Sequence, residues 1–114
     1  MEDVDDLARR TQKMKQEMQN EMRNVGRQIT NLEVDGESGA GLVRMTLTAN
    51  GELRALSIDK SVINPEDSAL LEDLIKAAYS DTWRKAEDAR LKTIGASLRN
   101  LNQISLSNSD LPFT

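Results

Sequence analysis

The side chains of this 114-residue chain that could do chemistry fall into three groups: a glycine-rich stretch, two pairs of adjacent carboxylates, and a run of cations near the N-terminus. The stretch Gly36-Glu37-Ser38-Gly39-Ala40-Gly41 has the glycine density of a loop whose backbone approaches something closely. A phosphate-cradling GxxxxGK[ST] or GxGxxG loop would have to lead from a strand into a helix, with a lysine in the first case. Here the stretch lies between two strand patterns, lacks the lysine and runs straight into Leu42-Val43, so Gly39 and Gly41 are expected to build a tight hairpin. The carboxylate pairs Glu72-Asp73 and Glu87-Asp88 point apart on a helix, and nothing nearby would tune them for acid–base work. With no histidine and no cysteine, the commonest general base and the thiolate nucleophile are both missing. The chain is expected not to be an enzyme, to use no cofactor or metal, and to act on no small-molecule substrate.

The cations carry a more definite message. Formal net charge is -4 and pI about 4.8, which taken alone argues against a nucleic-acid partner. The charge is segregated, however: residues 1–8 carry -4, residues 9–27 carry +4 and residues 28–114 carry -4. At ~100° per residue, Arg9, Lys13, Arg23 and Arg27 fall on one helix face, opposite Met14, Met18 and Met22, with Gln16 and Asn20 between them. Cations interleaved with amides along one exposed line suit phosphate oxygens, which accept from both. The plainer alternative is an ordinary solvated face. Farther on, Lys85, Lys92 and Arg99 share a second basic face at seven-residue spacing.

The elements that must carry these residues follow from periodicity. Val4, Leu7, Met14, Met18, Met22, Val25, Ile29 and Leu32 recur at helical spacing, which predicts a long amphipathic helix over about 3–31. Alternation then predicts three short strands, about 32–37, 42–49 and 52–59. Asn50-Gly51 reads as a two-residue type I′ turn with Ala49 facing Glu52, a register that sets Met45 opposite Leu56 and Val43 opposite Ile58. Asn64 as N-cap and Pro65 in the first turn predict a second helix over about 65–99. Its apolar side turns partway along, from Leu71, Leu74, Ile75 and Ala78 to Trp83, Leu91, Ile94 and Leu98. One domain over 1–102 and a flexible C-terminal tail over 103–114 complete the plan.

A first helix of about 42 Å overhangs strands of about 20–27 Å, so part of its apolar stripe has nothing in its own protomer to cover it. A symmetric homodimer is the expected solution, with Met14, Met18, Met22, Trp83, Ile94 and Leu98 at its interface. A groove for varied partners is the alternative reading of the methionines. Trp83 is expected to pack rather than to stack on bases, because only Tyr79 and Phe113 accompany it as aromatics. The N-terminus is acidic where a signal peptide would be basic and apolar, and no apolar run reaches membrane-spanning length, which predicts an intracellular, soluble protein without a membrane partner.

The segments LEVDGESGAGLVRMTLTANGEL, SIDKS and LLEDLIKAAYSDTWRKAED, preceded by QKMKQEMQ, resemble the YbaB/EbfC family of nucleoid-associated proteins over about Leu7 to Asp88. The resemblance implies an α+β fold: an α-β-β-β-α protomer with a three-stranded antiparallel sheet and two long helices, paired as a tweezers-like homodimer. It also implies cytoplasmic, nucleoid-associated binding of duplex DNA with little or modest sequence preference. The DNA-binding candidates are then Arg9, Lys13, Arg23, Arg27, Lys85, Lys92 and Arg99. A dimeric scaffold for basic protein partners, with incidental DNA affinity, is the alternative from a different class.

Overall fold

The computed structural model describes residues 4–107, in the order α1 (Val4–Asn31), β1 (Glu33–Ser38), β2 (Val43–Thr48), β3 (Leu53–Ile58), a 3-10 turn (Lys60–Val62) and α2 (Ser68–Ser107). The strands form one antiparallel sheet in the order β1-β2-β3, which is the expected α-β-β-β-α protomer. Between β1 and β2 the chain reverses through Gly39 (φ 59°), Ala40 (φ 55°) and Gly41 (φ 91°), three consecutive left-handed residues. The Gly41 N–H donates to Ser38 O at 3.2 Å and the Leu42 N–H to Gly39 O at 3.3 Å, so the glycines serve a turn.

The β2–β3 connection departs from the expected two-residue turn. Thr48, not Ala49, faces Glu52, with its N–H donating to Glu52 O at 2.8 Å, and Ala49, Asn50 and Gly51 form a three-residue loop with Gly51 at φ 91°. The cause is a distant commitment: the Ala49 N–H donates to Leu32 O at 2.7 Å, tying this residue to the start of β1. A register shift between Thr46 and Leu47 compensates, so that Met45↔Leu56 and Val43↔Ile58 are paired as the alternation requires.

The second helix also starts and stops elsewhere than expected. Asn64 Oδ1 accepts from the Glu66 N–H at 3.0 Å and Asn64 O from the Asp67 N–H at 3.0 Å, which makes Asn64–Asp67 a turn rather than a first helical turn. Asp67 Oδ1 then receives the Leu70 N–H at 3.4 Å, and the helix begins at Ser68. At the other end α2 runs on to Ser107, beyond Arg99 and into the stretch expected to be a flexible tail. Contact with α1 sustains it, for Asn100 Nδ2 donates to Glu21 Oε1 at 3.1 Å. The rest of the expected tail, 108–114, lies outside the described residues.

The core lies where α2 crosses the sheet. Val34, Gly36 and Ser38 of β1 pair with Leu47, Met45 and Val43 of β2, placing them on one face. Against that face α2 turns Ala78, Thr82 and Ala86, all fully buried. Burying each of Val43, Met45 and Leu47 stabilises the fold by about 1.5–3 kcal/mol. The approach is close enough that a Cβ on Gly36 would lie 2.7 Å from both the backbone N and the Cα of Thr82. Thr82 satisfies its buried hydroxyl by donating to Ala78 O at 2.6 Å.

Two side-chain clusters fix the helix along its length. Asp81 accepts the Glu37 N–H at 3.0 Å, closing the outer edge of β1. Near the other end of the sheet Trp83 covers Gly51, where an added Cβ would come within 2.6 Å of the indole ring. The indole stacks on Tyr79 at 6.0 Å between centroids and lies 5.8 Å from the Arg90 guanidinium, which also donates to Ala49 O at 3.3 Å. Past Arg90 the helix leaves the sheet and runs antiparallel to α1, giving a molecule of 82 × 21 × 15 Å: a compact sheet body and a two-helix arm.

Gly36→Ala is expected to destabilise the protein by about 3 kcal/mol, the upper end of overpacking costs, read as a lower urea midpoint at unchanged m-value. Thr82→Ala in the same chain should not rescue it, because the obstructing atoms belong to the Thr82 backbone. Full recovery in the double variant would show that the hydroxyl, and not the backbone approach, is the constraint.

Candidate nucleic-acid interface

On α1 the side chains of Arg9, Lys13, Arg23 and Arg27 are all exposed. Eighteen residues at ~1.5 Å each spread them over about 27 Å. Their polar partners leave the charge intact: Arg9 Nε donates to the Asp5 backbone O at 3.4 Å, Arg23 Nη2 to Asn20 Oδ1 at 2.9 Å and Arg27 Nη2 to Asn24 Oδ1 at 2.8 Å. Among the described residues, none of these four cations faces a carboxylate within salt-bridge distance. Arg10 differs, for its Nη2 lies 3.2 Å from Asp6 Oδ2.

The cations of α2 are held differently. Lys85 Nζ is 3.1 Å from Asp81 Oδ2 and Arg84 Nη2 is 2.9 Å from Asp81 Oδ1, so one carboxylate engages both. Together with the Glu37 N–H, which contributes most, these donors hold the Asp81 carboxyl below its ordinary pKa of 3.8. Lys92 pairs with Asp88 at 2.9 Å, but both side chains are more than three-fifths exposed, and such a pair opens readily. Arg99 is exposed and makes no ion pair among the described residues. Of the seven candidate cations, then, Lys85 alone is built into the framework of the sheet.

The fold sorts charge by place. Residues 9–32 and 89–107, the arm, hold nine basic and two acidic side chains; residues 33–88, the body, hold six basic and twelve acidic. The arm is also two-sided. Met14, Val25 and Ile29 are half-buried toward α2, while Met18 (43%), Met22 (68%), Leu91 (58%), Ile94 (37%) and Leu98 (61%) stand exposed. In an antiparallel helix pair these five fall on one side, and the lines Arg9-Lys13-Arg23-Arg27 and Lys92-Arg99 fall on the other.

Elsewhere the surface suits phosphate poorly. A hollow of ≈ 540 Å³ is lined in part by Asp35, Glu37, Arg44, Thr46, Ser57 and Lys85, with the Asp35 carboxylate taking a 2.6 Å hydrogen bond from Thr46 and Glu37 4.0 Å from Arg44. Carboxylates at its wall would repel an anion. Among the described residues no helix is long and apolar enough to cross a membrane, and no group of three acidic side chains is placed to hold a metal ion. The sequence signal for Asn24 was present, since Asn-x-x-Arg occurs twice in succession, at 20–23 and 24–27. Asp81 had no such signal, because its partner Glu37 is distant in the chain.

The model of the YbaB/EbfC DNA-binding family matches residues 1–101. A nucleoid-associated protein of Maricaulis maris (strain MCS10) is 45% identical over 78 residues, which cover 68% of this chain and 73% of that protein. The crystal structure of the uncharacterized protein HP0035 from Helicobacter pylori superposes with a TM-score of 0.66 at 22% identity, covering 86% of this chain and 99% of that one, and shares its fold.

The depressed Asp81 pKa gives a signed expectation. A carboxyl whose folded pKa is lowered contributes stability that is fully present above its unfolded value, near 3.8, and is lost as pH falls through the folded value. Asp81→Asn should therefore be less stable than wild type at neutral pH, with the gap narrowing as the pH drops below 3.8. Thermal unfolding across pH measures this; a gap that stays constant down to acid pH would detach Asp81 from the sheet edge.

Proposed function

The chain belongs to the YbaB/EbfC DNA-binding family, and from that premise we propose that it is a nucleoid-associated protein whose helical arm holds duplex DNA through phosphate contacts. The observation that supports this most directly is the exposed line Arg9, Lys13, Arg23 and Arg27, four cations without a carboxylate partner among the described residues, on an arm with nine basic and two acidic side chains. Cations and amides on a straight helix face donate to phosphate oxygens without reading bases, which favours little or modest sequence preference. Lys92 and Arg99 extend the surface, whereas Lys85 is spent largely on Asp81. The acidic body turns the phosphates toward the arm. It also favours a second reading, a scaffold for basic proteins.

We further propose that two copies pair through the apolar side of the arm, Met18, Met22, Ile94 and Leu98, with Met14 and the exposed flank of Trp83 as lesser contributors. These methionines and leucines stand in water in the isolated protomer, and an isologous interface would cover them while doubling the basic side. DNA at the nucleoid is the setting that the name of the Maricaulis maris relative suggests.

Reversing charge at Arg9, Lys13, Arg23 and Arg27 should weaken binding to all duplex sequences alike and lower the slope of log K against log salt by about 0.9 for each phosphate no longer neutralised. Circular dichroism should stay native, because these side chains touch no core residue. Unchanged affinity and slope in a folded fourfold variant would remove α1 from the mechanism and favour the scaffold reading.

Met18→Lys is expected to shift the protein from dimer to monomer in sedimentation equilibrium. A wild-type chain that sediments as a soluble monomer at micromolar concentration would refute the pairing.

A further inference from the structure

The two arginines nearest the sheet on α1 are held by the same device, repeated one helical turn apart. Asn20 accepts from Arg23 at 2.9 Å and Asn24 accepts from Arg27 at 2.8 Å, each across three residues, and all four side chains are exposed. A guanidinium only donates, so the amide oxygen must face it, and the amide NH₂ is left pointing outward as a further donor. The contrast with α2 is chemical. There Arg84 and Lys85 share the Asp81 carboxylate and Lys92 meets Asp88, so each cation lies against a negative charge. An amide and a carboxylate of the same shape hold a guanidinium in similar places, but only the amide leaves the net charge available to another anion.

We propose that Asn20 and Asn24 are positioning residues for DNA binding: each clips one guanidinium edge to the helix surface, limits its rotamers before DNA arrives, and leaves the remaining N–H donors and the full positive charge for a phosphate. An exposed arginine is otherwise one of the side chains that loses most rotamer freedom when it is fixed, so ordering it in advance reduces the entropic cost of the contact. The unit Asn-x-x-Arg thus presents guanidinium and amide donors together, twice, about 6 Å apart along the helix axis. This inference rests on the reading of α1 as the DNA-facing surface.

The test compares three double variants on a labelled duplex of mixed sequence, titrated across salt. Asn20→Asp with Asn24→Asp keeps the clips but places a carboxylate against each arginine; affinity should fall and the salt slope should drop by up to about 1.8, the equivalent of two phosphate contacts. Asn20→Ala with Asn24→Ala keeps the charges and loses the clips; affinity should fall several-fold while the slope stays at the wild-type value. A merely structural role would move helix content by circular dichroism and not separate affinity from slope in this way. Arg23→Glu with Arg27→Glu is the control for the underlying reading. If it leaves affinity untouched, α1 is not the DNA surface and both ideas fail. If it abolishes binding while the alanine pair binds as wild type, the arginines act without the clips and the positioning role alone is overturned.

Discussion

Everything in this protomer depends on the distance at which one helix can cross one sheet. Gly36 has no Cβ, and the space one would occupy is taken by the backbone of Thr82. That contact lets α2 settle until Ala78 and Ala86, small and fully buried, also touch the sheet, and Met45 and Leu47 can pack against Ala86. A larger residue at 36, 78 or 86 would lift the helix off β1, and with it would go the Asp81 hydrogen bond to Glu37 and the seat of Trp83 on Gly51. Because helix and strand are fixed over several turns, the direction in which α2 leaves the sheet is fixed as well. The arm is a consequence of packing in the body.

What the arm then presents follows from its two-element construction. A lone helix with the composition of α1 would carry its methionine stripe bare, but α2 covers only one flank of it, through Met14, Val25 and Ile29. Neither helix buries a large side chain here; the α2 residues turned inward include Ala96 and Ser97, so the pair packs closely but thinly. The consequence is a slender arm whose outward sides are chemically opposite, one apolar and one basic. An acidic protein can offer a basic surface in this way because its surplus carboxylates are in the body, and beyond about a Debye length of ~8–10 Å their field is screened.

The legible part of this structure was the part written in local pattern. The period of α1, the alternation of the strands and the pairing of Met45 with Leu56 were all readable, and so was the basic line, because each depends on residues near one another in the chain. The misreadings share a cause. Ala49 was expected to face Glu52, but its N–H belongs to Leu32; Asn64 and Pro65 looked like a helix start, but Asn64 closes a turn of its own; α2 was expected to end near Arg99, but α1 supports it to Ser107. The buried line Ala78-Thr82-Ala86 was overlooked because it is hardly apolar, whereas Trp83, Leu91 and Leu98, more conspicuous in sequence, are partly or largely exposed. Where a helix meets a sheet at backbone distance, smallness rather than hydrophobicity marks the contact.

The candidate site shows the same limit at the level of chemistry. Sequence spacing placed Lys85 beside Lys92 and Arg99 as equivalent cations, and only the tertiary contact distinguishes them. Asp81 must stay charged to accept from Glu37 N–H, and a carboxylate held in place there attracts Lys85 and Arg84 as a matter of course. Charge needed to hold the sheet edge thus removes cations from the surface nearby. On α1 no backbone donor outside the helix has to be satisfied, and amides suffice to order the arginines without consuming their charge. Division of labour between body and arm therefore extends to the partners of individual side chains: carboxylates where the structure must be fixed, amides where positive charge must remain to meet a phosphate.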